Sequence, residues 1–370
     1  MNFDFSEDAR MVAEQTARLL ADHCDARTVR SVLDGEASHA AEAWAQLGGL
    51  GLAGTALPAE HGGVGAGYLP LCLVARELGA AVAPVPFSSS VYLAAEAILR
   101  FGSAEQRSRW LPELASGALI GTLALVESAQ RCDAASIEAQ VTNGTLSGRK
   151  LLVPDGGLAD IAVVIARSPA GLDMYLCDLH DNGVARAAVS TVDPTRDSAT
   201  LDFAGSAVEP LGGVADGDGW QRLDALYDRA AVLFAFEQLG GAQSALDMAV
   251  AYAQQRYAFG RPIGSFQGLK HIMADMYVAL KLAESNCYYA AWALETDADD
   301  LALAAATARV SATQAYQLCS RDNIQVHGGM GFTWEFDCHL YYRRSNYLAL
   351  QLGGLSDWER KLVAATRRAA

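Results

Sequence analysis

From Trp220 to Ala258 the chain runs without a proline, and read as one helix that run spans roughly 60 Å at 1.5 Å per residue. A helix of that length needs other helices along it to cover its apolar positions. The downstream sequence supplies them. Leu269, Ile272, Met273, Met276, Leu280 and Ala283 recur at helical spacing on one face, with Ser265 as the predicted N-cap. Runs over Leu301 to Asp322 and Ser356 to Arg368 complete a predicted four-helix bundle.

Residues 1 to about 117 have the same texture: EDARMVAEQTARLLADHC and LPLCLVARELGA are helical runs separated by Gly/Pro loops. From about Gly121 the pattern changes to short segments rich in Val, Ile, Leu and Thr, among them GTLALVE, GRKLLV, DIAVVIARS, MYLCDL and ATLDFAG. Asn143-Gly144 and Asp181-Asn182-Gly183 punctuate them as turns. A compact β domain therefore separates two helical regions, which is an α+β class. The sequon at Asn143 reads as a hairpin turn.

With 28 Lys plus Arg against 43 Asp plus Glu, the net charge of -15 opposes binding to nucleic acid or anionic membranes. No segment has the roughly 18–20 uninterrupted apolar residues of a membrane span, and MNFDFSEDAR is acidic where a signal peptide is basic, so a cytoplasmic location is expected. The seven cysteines form no CxxC pair and read as buried free thiols, with no metal site.

Three stretches invite a functional reading. HGGVGAG, His61 to Gly67, lacks the spacing of a phosphate-binding loop and reads as a turn between helices. In QVHGGMGFTWE, Gln325 to Glu335, three glycines within four residues after His327 exceed what one helix C-cap requires. They point to a close neighbour, either another chain or a ligand phosphate. RYAFGRPIGSFQ, Arg256 to Gln267, breaks helix on both sides with Phe-Gly and Arg-Pro. His271 and Asp275, one turn apart, read as a solvated or interface pair, while Asp228, Arg229 and Glu237 lie in an otherwise apolar helix and each either faces solvent or sits in a polar pocket with a partner.

Taken together, RYAFGRPIGSFQ, HIMADM, QVHGGMGFTWE, LGGLGLAGTALPAEHGGVGAG and GRKLLVPDGGLADIAVVIAR resemble, in that spacing and over nearly the whole chain, the acyl-CoA dehydrogenase family. The resemblance implies an N-terminal helical domain over 1–117, a middle β-barrel domain over 118–214 and a C-terminal four-helix bundle over 215–370. It implies FAD held between subunits, an acyl-CoA substrate oxidised to the enoyl-CoA, and electron-transfer flavoprotein as electron acceptor. By the same resemblance Arg256 meets the pyrophosphate, Phe259 lies beside it, Gln267 contacts the cofactor, and Gln325, Gly328 and Gly329 line the ADP portion. A guanidinium suits a diphosphate, and glycine lets main-chain N–H groups approach it.

Two departures bear on the chemistry. Where the family has TEPGxGSD against the flavin ring, this chain reads VESAQRCD, Val126 to Asp133. Where many members carry the catalytic glutamate in YEGT, it reads Gln351-Leu352-Gly353-Gly354, and a leucine accepts no proton. Asp228 before Arg229 imitates the alternative base of other members, but counting back from Phe259-Gly260 puts that position on Ala230. The expectation is therefore the non-base subunit of a heteromeric acyl-CoA dehydrogenase of lipid or steroid degradation, a heterotetramer of two copies each of two chains. Two alternatives stand beside it: a homo-oligomer using Asp228 or Glu237 as base, and a flavin-free binding or assembly relative.

Overall fold

The computed structural model describes residues 5–129 and 132–369. Six helices come first: α1 (Glu7–His23), α2 (Ala26–Leu33), α3 (Ala41–Gly49), α4 (Tyr68–Ala80), α5 (Glu96–Phe101) and α6 (Ala104–Ala115). Seven strands follow: β1 (Gly121–Ala124), β2 (Gln140–Thr142), β3 (Thr145–Pro154), β4 (Ile161–Ser168), β5 (Gly171–Asp178), β6 (Val184–Ala188) and β7 (Ser198–Pro210). The chain then returns to helix with α7 (Gly219–Gln255), the short strands β8 (Tyr257–Ala258) and β9 (Arg261–Pro262), α8 (Gln267–Glu295), α9 (Leu301–His327), α10 (Cys338–Leu350) and α11 (Leu355–Ala369). By packing, the chain divides into two compact units, one of Met1–Val29, Tyr68–Ala83 and Ala231–Ala370, the other of Arg30–Gly67 and Pro84–Ala230.

In the second unit the sheet runs β1-β4-β2-β3-β7-β5, and β5 pairs back onto β4, closing a barrel-like ring with β6 added beside β7. The Asn143-Gly144 turn joins β2 to β3 with both residues at positive φ, as a two-residue hairpin requires. Alternating inward residues, among them Leu146, Val164, Tyr175, Leu201 and Phe203, fill the interior.

Lys150, in the middle of β3, has no exposed surface. Its ammonium donates to the carbonyls of Leu125 (3.0 Å) and Ile165 (2.6 Å) and to Glu127 (2.5 Å), so all three protons are satisfied inside the barrel. The Glu127 carboxylate also accepts from the amides of Glu138 (2.6 Å) and Ala139 (3.1 Å), which closes the loop between β1 and β2.

The first unit is built on α8, α9 and the greater part of α7. Close packing is set by glycine: a Cβ on Gly79 of α4 would lie 1.8 Å from the Glu237 carbonyl, and one on Gly240 of α7 would lie 1.8 Å from the Arg76 carbonyl. Two fully buried arginines sit where helices end. Arg309 donates to Gln238 (2.7 Å) and to the Leu348 and Gln351 carbonyls at the end of α10. Arg344 donates to the Val82 and Ala83 carbonyls just past α4, each at 3.2 Å. Both positions place a cation at the negative end of a helix dipole, where it also satisfies terminal carbonyls.

Three boundaries differ from the sequence expectations. The long helix stops at Gln255, because the Tyr257–Pro262 segment pairs with itself as a hairpin. Ser265 does not cap α8; its hydroxyl donates to the Pro262 carbonyl at 2.7 Å, and Phe266 is the cap residue. Helix α10 was not anticipated, since YYRRSNYLAL puts Arg344 and Ser345 where a core helix would be apolar.

Candidate functional site

The interruption in RYAFGRPIGSFQ is the β8–β9 hairpin. The Arg256 amide still donates to the Tyr252 carbonyl (2.8 Å), ending α7, and the Ile263 amide donates to the Arg256 carbonyl (2.8 Å), closing the hairpin. Phe259 (φ +51) and Gly260 (φ +79) form its tip, the left-handed pair of a two-residue loop. Holding an aromatic residue there costs about 1–2 kcal/mol, yet Phe259 is 96% exposed. Its ring meets Phe266 edge-on at 6.2 Å, and the Arg261 guanidinium lies 4.1 Å above the Phe266 ring. Gln267, exposed, is the first residue of α8.

At the end of α9, Gly328 takes φ 59, ψ -137, a conformation confined to glycine. Gly329 is different: a Cβ there would meet nothing within 4 Å, and nothing inside the chain demands a glycine. His327, buried, stacks on Tyr252 with ring centroids 4.0 Å apart, and its Nδ1 lies 2.9 Å from the Asn323 carbonyl. Burial holds its pKa below the ordinary imidazole value. The stack seats the end of α9 on the end of α7, so Arg256, one turn beyond Tyr252, and the exposed Gln325, Gly328 and Gly329 share one end of the bundle. The Arg256 guanidinium forms no ion pair with the described residues, in a chain with excess acid. Phe332 (83% exposed) and Trp334 flank the glycines; their place in GMGFTWE was the available signal for them.

The base candidates stand elsewhere. Asp228 is half-buried on α7, in the unit that holds the barrel, while Arg256 belongs to the other. Arg229 pairs with Glu96 at 2.5 Å, both buried, and Ala230 is fully buried. The buried Glu237 carboxylate lies 3.8 Å from the Arg344 guanidinium. Leu352 takes φ +63 in the turn after α10, whose Gln351 carbonyl Arg309 holds at 2.8 Å. His271 and Asp275 are exposed on α8.

Of the stretch Val126 to Asp133, Gln130 and Arg131 lie outside the described residues. Glu127 is committed to Lys150 and to the loop amides, and Asp133 caps the turn after it by accepting from the Ala135 and Ser136 amides. The sequence reading missed Lys150, although a lysine inside GRKLLV was the signal. It also missed Leu152, which sits at φ +51 and 53% exposed where the β3–β7 register shifts. Among the described residues no group of three or more His, Cys, Asp or Glu is placed to hold a metal, and no helix is long and apolar enough to cross a membrane.

A helical region, a closed β unit and a helical bundle with a glycine loop and an arginine at one end define an FAD-dependent dehydrogenase fold of the acyl-CoA type. The chain belongs to the acyl-CoA dehydrogenase family, oxidoreductases that act on acyl-CoA: the family's N-terminal domain matches residues 6–118 and its C-terminal domain residues 217–366. It is 34% identical over 344 residues to acyl-CoA dehydrogenase IpdE2 of Mycobacterium tuberculosis, covering 92% of this chain and 91% of that one. Among solved structures it is similar to the ChsE4–ChsE5 complex of Mycobacterium tuberculosis (TM-score 0.90, 28% identity, 99% of both chains). It is likewise similar to the Tcur3481–Tcur3483 steroid acyl-CoA dehydrogenase variant (TM-score 0.88, 29% identity, 98% of both chains).

The residues present fit the ADP end of FAD. Arg256, exposed and without an ion pair among the described residues, shares one end of the bundle with two glycines that have open space where a side chain would stand, and Phe259 is held outward at the hairpin tip.

Proposed function

We propose that this chain is the subunit of a heteromeric acyl-CoA dehydrogenase that grips the ADP portion of FAD and carries no base of its own. The observation that carries this is the contrast between the exposed Arg256 and glycine end of the bundle and the chain's acidic groups on α7. Arg256, Phe259, Gln267, Gln325, Gly328 and Gly329 are all exposed, and nothing inside the chain demands a glycine at Gly329, whereas the carboxylates on α7 have no comparable posture and the turn after α10 carries Leu352. The similarity to two solved two-component assemblies supports a second, related chain as the partner. We assign residues 1–117, 118–214 and 215–370 as its three domains, and a bulky lipid or steroid acyl-CoA as substrate class, with electron-transfer flavoprotein taking the electrons.

In this assembly bound FAD supplies the acceptor for the hydride leaving the acyl β-carbon. This chain's contribution is binding. The Arg256 guanidinium neutralises diphosphate charge, and Gly329, with open space where a side chain would stand, lets the main chain approach the same anion, while the Gly328 N–H is held by the Gln325 carbonyl. Phe259, with Phe266 and Arg261 behind it, covers that contact and excludes water from it. The partner chain supplies the carboxylate that takes the α-proton.

Expression alone and together with a second family member carrying a positioned glutamate tests the proposal. The expected result is a colourless single chain and a yellow complex with one FAD per two chains. Tight, full FAD occupancy of the chain alone, with acyl-CoA reducing it, refutes the heteromer; loss of that reduction in Asp228→Asn or in Glu237→Gln would then assign the base to that residue. Absence of FAD from every purified assembly would make the chain a flavin-free relative.

A further inference from the structure

The unit that carries the glycine loop also holds a cavity of about 320 Å³ that the proposed FAD contacts do not touch. It lies among the end of α1, the start of α2, the end of α4 and the start of α10. Its floor is apolar: alanines of α1 and α4, the Met248 thioether and Leu340. Its polar groups are the Cys24 thiol, the Glu77 and Asp337 carboxylates and Tyr341. Tyr341 is already engaged, its hydroxyl donating to the Ala80 carbonyl at 3.1 Å.

Two of these groups lack partners. The Cys24 thiol, 4% exposed, makes no hydrogen bond with the described residues. The half-buried Glu77 carboxylate receives no hydrogen bond or ion pair from them. Burial raises its pKa, with the Arg76 guanidinium on the same helix pulling the other way. An anionic group lodged at an apolar wall without a partner is costly, and a ligand that brings the opposite charge relieves the cost. No Lys or Arg side chain lines the cavity.

We propose that this cavity binds a small aliphatic ammonium ion, its carbon chain against Met248 and Leu340 and its charge beside Glu77. The volume equals roughly ten waters at 30 Å³ each, room for a chain of about four to six carbons. A carboxylate of the same length would meet two like charges. An alcohol would fill the floor but leave Glu77 uncompensated.

Calorimetric titration of the full chain in its assembled form with n-butylammonium, n-butanol and butyrate tests this, for wild type and Glu77→Gln. The expected order is n-butylammonium well ahead of n-butanol, with butyrate silent. Glu77→Gln should weaken n-butylammonium about tenfold or more, in the range of a lost charge-assisted hydrogen bond. Should Glu77→Gln not fold, a second measurement on wild type decides: n-butylammonium should slow the labelling of Cys24 by a thiol reagent several-fold, read by peptide mass. Equal binding of butanol, unchanged affinity in a folded Glu77→Gln, no binding to wild type, or Cys24 labelling unaffected by the ligand each overturns the proposal.

Discussion

Replacing Lys150 by methionine keeps the length of the side chain and removes one charge from the centre of the barrel. Lys150 is fully buried and its ammonium has three acceptors, of which Glu127 is the anionic one. The Glu127 side chain is itself only 10% exposed. Removing one partner of such a pair costs about 3–5 kcal/mol, chiefly because the other charge is left buried without compensation. The Leu125 and Ile165 carbonyls lose a donor as well, at about 1–3 kcal/mol for an unsatisfied buried group.

Glu127 keeps its bonds from the Glu138 and Ala139 amides, which moderates the loss. We therefore expect Lys150→Met to destabilise the barrel unit by about 4 kcal/mol, the middle of the range for a broken buried pair. At about 2–4 °C per kcal/mol for a unit of this size, the thermal midpoint should fall by roughly 8–16 °C. The double variant Glu127→Gln, Lys150→Met removes the stranded charge and should recover about half of that loss. Thermal melts of the four proteins of the cycle, followed by far-ultraviolet circular dichroism at one pH, give the comparison. A single-variant loss below about 1 kcal/mol, or a double variant no more stable than the single, would refute the reasoning, since both follow from the cost of an unpaired buried carboxylate.

Arg256→Gln should weaken FAD binding to the assembled protein by roughly 10- to 150-fold, the range of 1.5–3 kcal/mol for a hydrogen bond to a charged group, with the apoprotein melt unchanged because the guanidinium has no internal partner; equilibrium dialysis and melts measure both. Gly329→Val should likewise fold normally and bind FAD poorly, whereas Gly240→Val, whose first side-chain atom would lie 1.8 Å from the Arg76 carbonyl, should not yield folded protein. The pair separates a glycine kept for a ligand from one kept for packing.

Acid should loosen the Tyr252–His327 stack. Burial lowers the folded-state pKa of His327, so below the unfolded value of about 6.5 the unfolded chain takes up the proton first, and stability falls with pH down to the folded-state pKa. His327→Gln should flatten that part of a stability profile taken in urea between about pH 7 and 5. An unchanged slope would exclude His327 as its source.

The order helix, strand, helix was legible because period and composition change sharply near Gly121 and again near Gly219. Asn143-Gly144 announced its hairpin because only residues tolerant of positive φ fit that turn. Helix α10 was not legible, because its buried face includes Arg344 and Ser345, which become compatible with a core only once the Val82 and Ala83 carbonyls and Glu237 are brought to them. The charge opposite Glu237 was illegible for the same reason: one chain position does not reveal that the Arg344 guanidinium will stand 3.8 Å from it.

At the candidate site the sequence by itself determined which residue types were present and where the helix had to break: Arg256, the Phe259-Gly260 tip and the glycines after His327 are written into short local patterns. That these patterns meet at one end of the bundle was decided by the Tyr252–His327 stack, a contact between residues 75 positions apart. Only the fold could likewise show that Gly329 has open space where Gly240 has a backbone carbonyl, or that Lys150 and Glu127 answer each other inside the barrel. The physical reason is that backbone conformation follows from near neighbours in the chain, whereas burial, charge pairing and clearance depend on distant segments that only packing brings together.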